Sequence, residues 1–477
     1  MAVAVDEVVP CLDLRHALTV ISGNESRSTR SGEVAPVQLL QHIHERQSLA
    51  LADALDTLPL KLGTQERVTA AAAHARHPDV AYGLGPGIHR RLPIIMTGDP
   101  ASPNARAQGV ASGRPNRVTE AGPASAAIEL TTLTDGGQRA ADIARLLAGF
   151  LAKAEKSLDL ALYDVRFETG AGGLVLASLL SAAQRGVAVR LLYNVAHPGP
   201  IPVPPPPETG PEAIESLPID TRGVAGIPDL MHHKYVVRDG DAVWTGSTNW
   251  TDDSWTRQEN VVVTVRSPEI AYAYSLTFDQ LWESGQVAHT GSDPRPQQVN
   301  GAQVRAWFCP AHGEPLSHRV AKHIGKARKR VRIASPVLTS GPILATLVEV
   351  LNERRCDVRG IVDDTQVDQV FHQWRTNGVS EWKVPLLQRV LESAEFSGKA
   401  SNPWRPESLH DFMHAKVVVA DDTTFVGSFN FSRSGERNAE NVLEIRDVAI
   451  AERMAGYVDE LRARYPRATI PGDRPTR

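Results

Sequence analysis

An α/β fold is predicted, made of two similar α-β-α sandwich halves with mixed, largely parallel sheets related by a pseudo-twofold axis, plus a small helical N-terminal segment. Three features of the chain predict it. Strand-like runs alternate with amphipathic helical stretches over 126–290 and again over 301–467, the order of these elements repeats, and one polar motif occurs twice. The separation of the two histidines of that motif, His232 and His414, nearly equals that of its two serines, Ser247 and Ser428.

The first half opens on a helix over 138–156, where Ala141, Ile143, Leu146, Leu147, Phe150 and Leu151 recur at helical spacing, and it runs into a strand over 157–165. Its counterparts are a helix over 320–330 and a strand over 331–338. A second helix over 173–185 leads through Gly186 to a strand over 187–195, matched by 342–355 and 357–364. Each half then presents a linker, a histidine–lysine strand, a turn, a G-S-x-N segment, another strand (260–265 and 441–446) and a closing helix that carries aromatics (270–282 and 449–465). The first linker holds a proline-rich run over 197–207, read as a stiff surface loop, and the second holds Trp374, Trp382 and Trp404. Residues 1–125 read as a helical accessory segment and linker, helical over 37–75 and rich in Gly, Ala, Pro, Ser and Arg over 97–122. His74, His77 and His89 in this segment receive no functional reading.

A net charge of −4 over 477 residues gives no chain-wide basic field, so any anion-binding surface must be local. Cys11, Cys309 and Cys356 fall into no metal-ligand spacing, which fits a reducing compartment. The N-terminus has acidic residues where a signal peptide is basic, and no stretch approaches the ~20 apolar residues of a membrane span. A soluble, cytoplasmic protein is expected.

The repeated motif carries the chemistry. On a strand His232 and Lys234 project from one face while His233 and Tyr235 project from the other, so His232 is the histidine that can act with the lysine; His414 and Lys416 stand in the same relation. Cleaving an anionic phosphodiester needs a nucleophile, a proton donor for the leaving oxygen and a cradle for the phosphoryl charge. One neutral imidazole can attack phosphorus and a second, protonated one can release the alcohol. Lys234 and Lys416 offer positive charge, and Ser247, Asn249, Ser428 and Asn430 offer neutral donors, so the scheme needs neither metal nor cofactor. Glu259 and Glu440, which follow Ser247 and Ser428 at equal spacing, are the candidates to bind the far ring nitrogen of each histidine. Asp239 and Asp421 read as structural turn residues. Asn260 and Asn441 open the next strand and are left outside the site. The second copy is one residue shorter between Asp421 and Gly427, and it has Gly435 and Asn438 where the first has Ser254 and Arg257. Trp250 and Trp255 are candidates to line the site, Trp282 reads as core beside Phe278, and the basic run over 326–332 reads as the solvated end of a helix.

H-x-K-x4-D, then G-S-x-N, then an acidic residue beside an amide, resembles the phospholipase D superfamily; both copies match, over about residues 130–465. The resemblance implies a metal-independent reaction through a covalent phosphohistidine, completed by hydrolysis or by transfer to another alcohol. It also implies His232 as nucleophile and His414 as general acid, then base. With both halves in one chain, the site is complete without a partner subunit. The expected substrate is a phospholipid, with transient contact to a membrane surface, because a near-neutral chain is poorly suited to bulk DNA. A nuclease of the same superfamily, acting on DNA or RNA, is the alternative.

Overall fold

The computed structural model describes residues 127–167, 170–195, 211–226, 229–405 and 408–470. All of them fall within one unit, Val110–Arg477. The accessory segment expected over 1–125, its histidines and the proline-rich run over 197–207 lie outside the described residues.

The first half runs β1 (Ile128–Leu133), α1 (Ala140–Leu151), β2 (Ser157–Leu162), α2 (Gly172–Gln184), β3 (Ala188–Val195), α3 (Pro211–Glu215) and β4 (Asp220–Ala225). It continues through β5 (Lys234–Arg238), β6 (Ala242–Gly246), α4 (Asp252–Thr256), β7 (Asn260–Arg266) and α5 (Pro268–Ser284). The second half begins with β8 (Gln297–Val299), β9 (Ala302–Cys309), α6 (Gly313–Lys326), β10 (Arg330–Ala334), α7 (Gly341–Asn352), β11 (Asp357–Asp363) and α8 (Asp364–Asn377). After a short 3-10 turn come α9 (Val384–Ser393), β12 (Ser397–Lys399), β13 (Val417–Ala420), β14 (Thr423–Gly427), α10 (Arg433–Arg437), β15 (Glu440–Arg446) and α11 (Val448–Arg464).

The strand orders are β1-β7-β6-β5-β2-β3-β4 and β12-β11-β10-β13-β14-β15-β9-β8, so both sheets are mixed. They are not largely parallel, as the sequence suggested. Only β2-β3-β4 and β10-β11-β12 pair in parallel. The motif strands β5-β6-β7 and β13-β14-β15 pair antiparallel throughout; β5–β6 and β13–β14 are joined by turns too short for a parallel crossover, whereas β6–β7 and β14–β15 are antiparallel although their connections are long enough to carry α4 and α10. The stretch read as the second linker folds into α8 and α9.

Helix α1 shows how the layers hold. Ile143, Ala144, Leu147, Phe150 and Leu151, three or four apart, form its buried face against the outer side of the first sheet. Fully burying a large apolar side chain is worth about 1.5–3 kcal/mol. Between the two sheets lies a core shared by both halves, into which α5 sends Ile270, Tyr274 and Phe278 and α11 sends Met454, Tyr457 and Leu461. Both helices begin on a side-chain cap, Ser267 accepting from the Ile270 N–H and Asp447 from the Ile450 N–H. This shared layer holds the two motifs against each other.

Candidate active site

Asp239 and Asp421 occupy the turns that follow the histidine strands, with φ of 55° and 53°. The Asp239 carboxylate accepts the backbone N–H groups of Glu155, Lys156 and Ser157, and that of Asp421 accepts those of Arg328, Lys329 and Arg330. Each aspartate therefore ties its hairpin to the start of β2 or β10. Burial, which raises the Asp239 pKa, is outweighed by these backbone donors, and the carboxyl lies below its usual range.

The glycine of each G-S-x-N segment has a steric cause. A Cβ on Gly246 would strike the Val261 carbonyl, and one on Gly427 the Asn441 carbonyl. Those carbonyls accept the N–H of Ser247 and Ser428 at 2.9 Å. The serine hydroxyls are used internally as well. Ser247 Oγ donates to Asn260 Oδ1 (2.7 Å) and accepts from the Val261 N–H; Ser428 Oγ donates to Glu440 Oε2 (2.6 Å) and accepts from the Asn441 N–H. The serines thus do not form the phosphoryl cradle expected of them. Both are wholly buried and hold the groups that hold the histidines.

These bonds fix the true equivalence of the halves. Gly246 pairs with Val262, and Gly427 with Val442, so Asn260 is the counterpart of Glu440 and Glu259 the counterpart of Ala439. Equal spacing from each serine therefore picks positions that are out of step by one. The extra residue is Arg257, which continues in helical conformation after α4, whereas Asn438 turns extended directly after α10.

Each histidine is clasped by the opposite half. The His232 N–H bonds the Ala439 carbonyl at 2.9 Å, and the His414 N–H bonds the Glu259 carbonyl at 3.1 Å. His232 Nδ1 lies 2.8 and 2.9 Å from the two Glu440 carboxylate oxygens. His414 Nδ1 lies 3.1 Å from Asn260 Oδ1. Asn260 Nδ2 donates to the Ser254 carbonyl and to Gln258 Oε1, which fixes the amide with its oxygen towards His414. His414 consequently carries its proton on Nδ1.

Glu259 does not bind a histidine, contrary to the expectation from its spacing. It neighbours Asn260 on an extended segment and so faces the other way. Its carboxylate accepts from Lys399 Nζ (2.9 Å), the Tyr465 hydroxyl and the Asp135 N–H (3.3 Å). Lys399 also bonds the Arg257 carbonyl and lies 3.3 Å from Asp135, so this buried ion pair joins the halves behind His414. Removing one partner of a buried pair leaves an uncompensated charge. Lys399→Met is expected to lower unfolding free energy by ~3–5 kcal/mol, measured by urea denaturation; a loss within error of zero would contradict the latch.

The histidines meet at one pocket, lined also by Asn249, Asn430, Tyr163, Asp164, Gln258 and Gln366. His232 Nε2 and the Asn249 and Asn430 amide oxygens are buried without a hydrogen bond. Lys234 and Lys416 lie behind it, each donating to the carbonyl of its own motif histidine at 2.7 Å, and the Lys234 ammonium sits 4.7 Å from the Tyr163 ring centre. Trp250 and Trp255 belong to the outer core and do not line the pocket. Besides Tyr163, the aromatics that do line it are Trp404, His410 and Phe412, stacked in a row with ring centres 6.5 and 5.5 Å apart. Trp404 was visible in the second linker, but nothing in its spacing tied it to the motif. His233 faces away, bonded to Asn441 and edge-on to Tyr235. Trp282 stacks on Phe278, and the basic run divides: its helix ends at Lys326, while Arg332 is buried in ion pairs with Asp357 and Asp459.

Burial dominates the electrostatics. It lowers His232 well below the ordinary imidazole value, helped by the Lys234 and Lys416 ammonium groups, and does the same to His414, with Lys416 and Lys234 contributing. It brings Lys234 down to about 7 against the pull of Glu440 and Asp164. Glu440 is pushed up to about 8, also by burial, against the opposing effect of Lys234. A protonated Glu440 would donate to Nδ1 and leave the proton of the neutral ring on Nε2; an ionised one accepts from Nδ1 and frees the Nε2 lone pair. The wild-type kcat/KM is therefore expected to rise with pH through a limb near 8 that belongs to the His232–Glu440 pair. In Glu440→Gln that limb should vanish and the plateau should fall by ~10²–10⁴-fold. A wild-type limb at the ordinary carboxyl value of about 4 would rule this out.

Among the described residues no group of three or more His, Cys, Asp and Glu is gathered to hold a metal ion, and no helix is long and apolar enough to cross a membrane.

Comparison with known proteins places this geometry. The profile of the family described as “Cardiolipin synthase, PLD-like domain” matches residues 147–282 and 320–462. A mitochondrial cardiolipin hydrolase of Xenopus laevis is 32% identical over 147 residues, 29% of this chain and 60% of that protein. That of Xenopus tropicalis is 32% identical over 138 residues, 28% of this chain and 58% of that protein. The alignments thus span less than two thirds of these relatives' length. Among solved structures, phosphatidylserine synthase of Haemophilus influenzae superposes with a TM-score of 0.50 at 15% identity, over 71% of this chain and 86% of that one. At that identity the likeness concerns the fold alone.

Proposed function

Because the chain belongs to the PLD-like domain family, we propose that it is a phosphodiesterase of phospholipase D type that hydrolyses a phospholipid, or transfers its phosphatidyl group, through a covalent phosphohistidine. The observation that carries this reading is the meeting of His232 and His414 at one pocket with different partners behind them, a carboxylate and an amide.

His232 attacks phosphorus through Nε2, and Glu440 stabilises the positive charge that the ring acquires on phosphorylation. With the anionic diester bound, His414 takes up a second proton on Nε2; held by a neutral amide and flanked by lysines, it gives that proton up readily and delivers it to the leaving alcohol oxygen. The same imidazole then takes a proton from water or a second alcohol, whose oxygen displaces His232 from phosphorus. An anionic diester favours the protonated form of Lys234 and Lys416, which balance its charge, while Asn249 and Asn430 contact the phosphoryl oxygens.

A phospholipid is favoured because the curated relatives are cardiolipin hydrolases. One feature favours the nuclease alternative: the row of Trp404, His410 and Phe412 could stack a base beside the scissile phosphate. The two readings separate when purified protein is given phosphatidylglycerol or cardiolipin vesicles and single-stranded DNA in parallel, each with and without chelator. Release of the lipid headgroup, undiminished by chelator, is expected. Cleavage of DNA alone would replace the lipid reading, and loss of activity on chelation would overturn the metal-independent scheme.

A further inference from the structure

A second cavity, of about 280 Å³, opens on the outer side of the first half between α1 and the edge of its sheet, and it shares no lining residue with the catalytic pocket. Four cations line it, Arg145, Lys153, Arg238 and Arg266, against one acid, Glu129. Arg238 is buried, with its guanidinium 4.5 Å from the Phe150 ring centre and donating to the Phe150 carbonyl. Arg145 is tied to Asp142. The floor is apolar, formed by Phe150, Trp244 and Val262, and Thr131 and Thr264 belong to the same lining.

The other half shows what such a place contains when it is filled. On the sheet, Thr131 pairs with Val262 and Glu129 with Thr264, as Trp307 pairs with Val442 and Arg305 with Glu444. With Val262 and Val442 equivalent, Thr131 answers to Trp307 and Thr264 to Glu444. The ring contact of Phe150 with Trp244, at 5.8 Å, likewise answers to that of His323 with Phe425, at 5.3 Å. In the second half the buried Glu444 carboxylate accepts from the Trp307 indole at 2.9 Å and from Arg319, and it lies 3.5 Å from His323 and 4.0 Å from Arg305. There the protein supplies the anion itself. In the first half a threonine stands in place of that carboxylate and another in place of the tryptophan. Cations still converge on the space, from different positions on α1, β5 and β7.

We propose that this groove binds a phosphoryl group, carried by an anionic lipid headgroup or by a soluble phosphate, as a site separate from the catalytic one. Guanidinium and ammonium groups beside hydroxyl donors are the chemistry that recognises phosphate oxygens, and the apolar floor limits competition from water.

The test uses the full chain and two variants that avoid the buried Arg238: Lys153→Glu at the rim and Thr264→Glu, which imports the carboxylate of the second half. Binding is measured with inorganic phosphate by calorimetry and with phosphatidylglycerol against phosphatidylcholine vesicles by co-sedimentation. Turnover of bis-p-nitrophenyl phosphate serves as the control for the catalytic pocket. Both variants should lose roughly tenfold in affinity for one probe while keeping turnover. Loss confined to phosphatidylglycerol vesicles identifies a headgroup, and loss of phosphate binding without any vesicle effect identifies a soluble ligand. Variants that bind both probes as the wild type does would overturn the proposal, as would loss of binding only in parallel with loss of turnover.

Discussion

His232→Ala is expected to lower kcat/KM by on the order of 10⁴–10⁶-fold, because it removes the proposed nucleophile and leaves only the cradle and substrate binding to act. No activated substrate should restore it. A p-nitrophenyl phosphodiester, whose leaving group departs without a proton, needs the attacking nitrogen as much as a phospholipid does. The Nε2 of His232 carries no hydrogen bond while Nδ1 is committed to Glu440, so one atom has the required freedom. Rapid alkaline quenching of the wild type with labelled substrate should trap label on His232. Finding the label on His414 would exchange the roles of the two histidines.

His414→Ala should behave differently, although its loss on a phospholipid is also large, ~10²–10⁴-fold for a missing general acid. With p-nitrophenyl phosphodiester the first step needs no acid, so this variant should release a burst of about one nitrophenolate per enzyme and then stall as phosphohistidine, lacking the base for the second step. Stopped-flow absorbance reads the burst directly. An absent burst with p-nitrophenyl phosphodiester would mean that His414 also serves the attack itself. The asymmetry of the orienting groups is the basis of the proposed division of labour, since Glu440 suits a ring that must become cationic and Asn260 suits one that must part with its proton.

Much of this was legible in the chain. Helical spacing located α1, α2, α5 and α11, and the doubled motif located both histidines because fixed offsets survive folding unchanged. Strand direction was less legible: β5 and β7 read as strands, β6 reads as turn and G-S-x-N segment, and the helix-bearing connection from β6 to β7 is long enough for either direction. Glu259 misled because spacing from Ser247 counts residues and not positions in the sheet, and one additional residue after α4 turned its side chain to Lys399. Ser247 and Ser428 look like ligand donors in sequence, yet the close approach allowed by Gly246 and Gly427 draws them inward. Trp250 and Trp255 follow the motif by sequence and enter the core, whereas Trp404 arrives from the second linker and His410 and Phe412 precede His414 at two-residue steps. For His410 and Phe412 the alternation leading into His414 was a usable signal, whereas Trp404 carries no local periodicity that ties it to the motif.

Arg257 directs its guanidinium to Asp135 and not to either histidine, yet it decides their difference. Because of it, the amide that steadies His414 stands one position farther along the chain from Ser247 than the carboxylate that steadies His232 stands from Ser428. Two nearly identical half-sites have thus been made inequivalent by chain length as well as by side-chain chemistry. In a duplicated enzyme, a single inserted residue away from the reacting atoms can assign which half attacks and which half hands over the proton.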